Sequence, residues 1–224
     1  MQKKCFFKNR SDFKIFAILS KPKNVNSRSI VIMCHGLHFS KNSHVNAALE
    51  KIFLKNNIAT FQLDFFAHGE SQGSKDDANV TEFVDNILRA IRYVKNKGYK
   101  NIGLYGASFG GVVSVIAASK SADFKVMALK APGIGQSSRK ISQYKRDFDT
   151  KSWINAGKKI EIPVLIIHGT SDKNVEVGFG KELAKSIKNS KIRLYKNADH
   201  KFSKKEDFER MVRDISKFII KHIN

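Results

Sequence analysis

The spacing of apolar positions along the chain switches repeatedly between two periods. Short apolar or alternating runs at Lys4–Lys8, Phe13–Ser20, Ser29–Cys34, Ile58–Leu63, Asn101–Tyr105, Val126–Leu129, Pro163–Ile167 and Lys191–Tyr195 predict strands. Stretches with apolar residues three and four apart predict helices over His44–Leu54, Val80–Lys95, Val112–Ala118, Val177–Ile187 and Lys204–Ile223. Asn79 stands where it would cap the helix from Val80. Strands alternating with helices imply an α/β fold, a mostly parallel eight-stranded sheet with helices on both faces. The rhythm breaks only in a polar stretch after Pro132. The expectation is one domain over residues 1–224, with a short cap at about 133–159.

Composition narrows this picture. Apolar residues make up 42% of the 224 positions, enough for a proper core, and no run approaches the roughly 18 apolar residues of a membrane span. The basic N-terminus lacks an apolar signal region, so a cytoplasmic location is expected. Cys5 and Cys34 are too few for a disulfide framework, and Cys34 reads as a buried thiol. Forty-one Lys and Arg against 20 Asp and Glu give a formal charge of +21. The basic residues are scattered and mostly lysine, whereas arginine is preferred for phosphate and base contacts. No specific nucleic-acid partner is expected; the charge bears on solubility and non-specific binding. The composition leaves the oligomeric state open.

The stretch GLYGASFGG, Gly103 to Gly111, carries the chemistry. Ser108 lies between a predicted strand and a predicted helix, flanked two residues away by Gly106 and Gly110. A sharp strand-to-helix turn that projects a serine leaves no room for side chains at those two places. Phosphate-binding loops of the GxGxxG or GxxxxGK[ST] type are absent. Downstream, Asp172 follows the strand ending at Ile167, and His200 follows the strand ending at Tyr195. Loops at strand carboxyl ends converge on one edge of a parallel sheet. The order Ser, Asp, His is that of a hydrolase triad on such a sheet, with Ser108 as nucleophile, His200 as base and Asp172 as its partner. Asp199 adjoins His200 and should diverge from it, and Glu176 should begin a helix. The backbone N–H groups of Leu37 and Phe109 are the expected oxyanion donors, with Gly36 giving the substrate room. His38 and Trp153 are candidate substrate contacts.

These motifs resemble the α/β-hydrolase superfamily of serine esterases. They are most similar to cinnamoyl/feruloyl esterases and to monoacylglycerol-lipase-like and serine-aminopeptidase-like hydrolases. The likeness rests on His35-Gly36, the Asp64 to Ser71 segment, Gly106 to Gly111, His168-Gly169 with Asp172, and His200. It implies hydrolysis of small-molecule carboxylic esters, with short, medium or aromatic acyl groups, and without a cofactor or metal. It also implies that Asp64 and His68 are structural. Ala67 replaces a glycine usual in such relatives. The cap is shorter and more polar than in cinnamoyl esterases, and Phe109 stands where those relatives often carry Gln or Met. Tyr144, Phe148, Trp153 and Ile154 give the cap an apolar face that either rests over Ser108 or pins the segment to the body. Thioesterase and peptidase or amidase activities share this triad, and a basic, non-catalytic binding protein on the same fold is a more distant alternative.

Overall fold

The structure, a computed structural model, describes residues 1–23, 27–134 and 150–224. Among these residues the strands are β1 (Gln2–Lys8), β2 (Lys14–Ser20), β3 (Ser29–Cys34), β4 (Ala59–Leu63), β5 (Asn101–Ala107), β6 (Phe124–Lys130), β7 (Val164–Gly169) and β8 (Ser190–Tyr195). They form one open sheet in the order β1-β2-β4-β3-β5-β6-β7-β8. The β1–β2 and β2–β4 pairings are antiparallel, and the other five are parallel. The helices are α1 (His44–Lys55), α2 (Val80–Asn96), α3 (Phe109–Ala118), α4 (Thr150–Gly157), α5 (Val177–Ser186) and α6 (Lys205–His222). This is the mostly parallel eight-stranded α/β architecture that the alternation predicts.

The period-two rule explains how the central strands serve two cores at once. Along β3, Ile30, Ile32 and Cys34 join one buried cluster, while Val31 and Met33 join the other. The first cluster lies under α2, α3, α4 and α5 and includes Phe83, Val113, Trp153 and Leu183. The second lies under α1 and α6 and includes Leu49, Phe53, Met211 and Ile215. Covered on both faces, β3 has no exposed residue, which is why its sequence is apolar without alternation. The Asn79 side chain accepts from the Glu82 N–H at 2.9 Å, the cap that the sequence predicts.

Three elements differ from expectation. Lys130 ends β6 in register with Ala107, one residue beyond the predicted strand. Helix α3 begins at Phe109, a turn earlier than its aliphatic run suggests. Helix α4 forms inside the polar stretch, too short for its apolar period to register, and is anchored by buried Trp153. Tyr144 and Phe148 lie outside the described residues. No helix among the described residues is long and apolar enough to cross a membrane.

Candidate active site

Parallel register brings the carboxyl ends of β3, β5, β6, β7 and β8 to one edge, and Ser108, Asp172 and His200 gather there. Ser108, between β5 and α3, has φ 52° and ψ −123°, a conformation that L residues adopt only when the surroundings impose it. Its N–H donates to the Lys130 carbonyl at 2.8 Å, and its own carbonyl accepts from Gly111 N–H at 2.9 Å. The flanking glycines are required by space. A Cβ on Gly106 would lie 2.6 Å from Ser114 Oγ and 2.8 Å from the Gly110 carbonyl. A Cβ on Gly110 would drive into the carbonyls of His35 and Cys34.

Asp172 and His200 meet across the β7 and β8 loops. His200 Nδ1 lies 2.7 Å from Asp172 Oδ2, and the Asp172 side chain is fully buried while that of His200 is 14% exposed. A carboxylate accepting at Nδ1 makes that nitrogen the N–H and leaves Nε2 with its lone pair. Burial alone would raise the Asp172 pKa. Hydrogen bonds from His168, His200 and the Val175 N–H outweigh it, so the carboxyl is held well below the usual range. Both Asn174 and Val175 donate backbone N–H groups to Oδ1 at 2.9 Å.

His168 entered the sequence analysis only as part of a matching motif, without a role in the site. Its buried ring places Nε2 3.2 Å from Asp172 Oδ2 and 3.1 Å from the Val175 carbonyl. The carboxylate is thus held by two imidazoles. The four-residue spacing of His168 and Asp172 around a tight turn was the available signal. Asp199 diverges, accepting from the N–H and hydroxyl of Ser203.

Gly36 packs against Ser108, an ideal Cβ there lying 3.3 Å from the serine Cβ. Leu37 follows it in a turn closed by Phe39 N–H to the Gly36 carbonyl, and Phe109 opens α3 with its ring edge-on to Phe83. Buried His35 fixes this loop: its Nδ1 faces the Gly36 carbonyl at 2.7 Å and its Nε2 accepts from Phe65 N–H. Burial lowers its pKa to about 4, so the ring is neutral at physiological pH. Asp64 is a structural staple, fully buried and bonded to the Lys41 ammonium and to the N–H groups of Lys41 and Glu70. Cys34 is fully buried, and burial pushes its thiol up to about 12.

Ser108 and His200 open onto one cavity of about 370 Å³, walled by Phe39, Val45, Tyr105 and Phe208. The two candidate substrate contacts are not brought to it. His38 is exposed with φ 64° and lies outside the cavity lining. Trp153 is 1% exposed in the core, its ring 6.5 Å from that of Phe179. For Trp153 the pinning alternative is the one the packing supports.

The family model described as serine aminopeptidase, S33 (Hydrolase_4), matches residues 25–151, which include Gly36 and the Ser108 turn. The alpha/beta hydrolase domain-containing protein 17C of Mus musculus is 29% identical over 126 residues, covering 55% of this chain and 39% of that protein. Protein 17B of Homo sapiens is likewise 29% identical over 126 residues, covering 55% and 43%. The chain's match thus spans about two fifths of the length of these relatives. Among solved structures, esterase Est1E of Butyrivibrio proteoclasticus with bound ferulic acid superposes with a TM-score of 0.87 at 22% identity, covering 98% of this chain and 99% of that one. An esterase of Pyrococcus furiosus gives a TM-score of 0.81 at 18% identity, covering 100% and 94%. At these identities the structures establish the shared α/β-hydrolase fold. With the family match running over more than half of its residues, the chain belongs to the serine aminopeptidase S33 family of α/β-hydrolases.

Proposed function

We propose that the protein is a serine hydrolase of carboxylic esters with short, medium or aromatic acyl groups. The observation that carries this reading is the Asp172–His200 hydrogen bond of 2.7 Å beside a serine held at φ 52°, with Ser108 and His200 opening onto one cavity. His200 Nε2 takes the proton of Ser108, whose oxygen attacks the ester carbonyl. Asp172 holds the imidazole in the required tautomer and stabilises the imidazolium. The N–H groups of Leu37 and Phe109 receive the oxyanion, each donor lowering the barrier by about 3–4 kcal/mol. The leaving alcohol takes the proton from His200, and water repeats the sequence on the acyl-enzyme. The chemistry calls for no metal or organic cofactor.

A volume of about 370 Å³ lies at the small end of ligand pockets, which suits short and medium chains or a single aromatic ring better than a long lipid. Est1E, which shares the fold, holds ferulic acid in its structure, and this supports the aromatic case by analogy.

The test is hydrolysis of p-nitrophenyl esters from acetate to dodecanoate by the wild type and by Ser108→Ala. The expected result is a maximum at short or medium chains and a fall of several orders of magnitude in the variant. Activity on matched thioesters or aminoacyl amides alone would reassign the same triad to a thioesterase or peptidase. Equal activity of Ser108→Ala would refute the nucleophile.

A further inference from the structure

Two polar groups in the cavity beside Ser108 have no role in the acyl-transfer steps. Tyr105, in β5, is fully buried, and its hydroxyl has no hydrogen-bond partner among the described residues. Lys130, the last residue of β6, is 6% exposed, and no carboxylate among the described residues lies within ion-pair range of its ammonium. Register pairs Tyr105 with Ala128 and Ala107 with Lys130, so both side chains project from the same face of adjacent strands, two positions apart. Both line the cavity that Ser108 and His200 share. Buried donors without acceptors are costly, and a lone buried ammonium more so, which makes such a pair a site for an acceptor from outside.

Among the described residues, the rest of the cavity presents no acidic side chain to an anion. Lys201 and three histidines, His35, His44 and His200, also line it, and no Asp or Glu among the described residues does. Phe202 lies under the Lys130 ammonium, with its ring centroid 5.7 Å away, and offers no formal charge. Burial lowers the Lys130 pKa to about 8, against the opposing pull of Asp172 and Asp199, so it is mostly cationic at neutral pH.

We propose that Lys130 and Tyr105 form an anion subsite, and that the ester hydrolysed at Ser108 carries a carboxylate bound there. The carboxylate accepts from the Lys130 ammonium and the Tyr105 hydroxyl, and apolar walls from Phe39, Val45 and Phe208 enclose its carbon chain. This deepens the esterase reading and rests on it.

The experiment compares kcat/KM for monomethyl glutarate against methyl hexanoate, and for the butanoyl ester of glycolic acid against butyl butanoate. The first pair places the carboxylate on the acyl side, the second on the alcohol side. A preference of at least tenfold for the anionic member of one pair is expected. It should persist at about 0.5 M salt, which screens diffuse attraction to the basic surface. Lys130→Met should lower the anionic-to-neutral ratio at least tenfold and Tyr105→Phe severalfold, whereas exposed, distant Lys188→Gln should leave it unchanged. In parallel, calorimetric titration of Ser108→Ala with glutarate should show saturable binding that Lys130→Met abolishes. Hydrolysis of neutral esters with no anionic preference and no glutarate binding overturns the subsite and leaves the esterase reading standing. Lys130-dependent glutarate binding without hydrolysis of any ester upholds the anion site and overturns the esterase reading.

Discussion

Holding Lys130 in the cavity destabilises the fold, and the magnitude follows from its proton affinity. A lysine at about 8 rather than its ordinary 10.5 has a charged form disfavoured by about 3 kcal/mol on folding, at about 1.4 kcal/mol per tenfold change in proton affinity. Lys130→Met keeps the unbranched stem and removes the charge, so at pH 7 it should stabilise the protein by about 3 kcal/mol. For a chain of this length that raises Tm by roughly 6–12 °C. The pH dependence is the sharper signature. Below pH 8 both folded and unfolded lysines are charged and the full penalty is present. Between pH 8 and 10.5 the folded lysine releases its proton first, so wild-type stability rises relative to the variant. Above about pH 10.5 the advantage of the variant disappears. Urea unfolding followed by the fluorescence of Trp153, the single tryptophan and 1% exposed, measures this across the pH series. A variant that is less stable than wild type at pH 7, or a gap that does not change with pH, would refute the reasoning. A stabilising substitution at an anion subsite is the expected trade between activity and stability.

Other substitutions probe the remaining links. Asp172→Asn should keep the fold but lower kcat about 10⁴-fold, because an amide no longer selects the Nδ1–H tautomer of His200; steady-state kinetics on a neutral ester measures it. Gly110→Ala places a methyl against the His35 and Cys34 carbonyls and should destabilise by about 3 kcal/mol or more, read as a lower urea midpoint with esterase activity lost. Lys41→Met strands the fully buried Asp64 carboxylate without its ammonium partner and should destabilise by about 3–5 kcal/mol, seen in thermal unfolding at pH 7. Adding Asp64→Leu to Lys41→Met should recover part of that loss, since an unpaired buried charge is its source.

Much of the molecule is determined by the sequence alone, because the relevant physics is local. A fully covered strand must be apolar on both faces, as in Ile30 to Cys34, and an amphipathic helix must repeat near every fourth residue, as α2 does. The serine turn is largely local: Gly106 and Gly110 lie within two residues of Ser108, and the clash at Gly106 arises inside that turn, whereas the one at Gly110 is with the β3 loop. Strand order in a parallel sheet then brings Asp172 and His200 to the edge that holds Ser108. What the tertiary structure decided depends on residues far apart in the chain. His168 is near Asp172 in sequence, but its burial is tertiary: the helix α5 packs on it, an ideal Cβ on Gly180 lying 2.7 Å from its Nδ1. Trp153 becomes a core anchor because α4 packs onto the α5 side of the body. Lys130 lies one residue past the predicted strand, yet pairing with β5 and β7 carries β6 through it and directs its ammonium inside. The one-dimensional pattern records which residues prefer burial; it does not record which polar groups are buried against preference, because that choice is enforced by contacts that exist only once the sheet has formed.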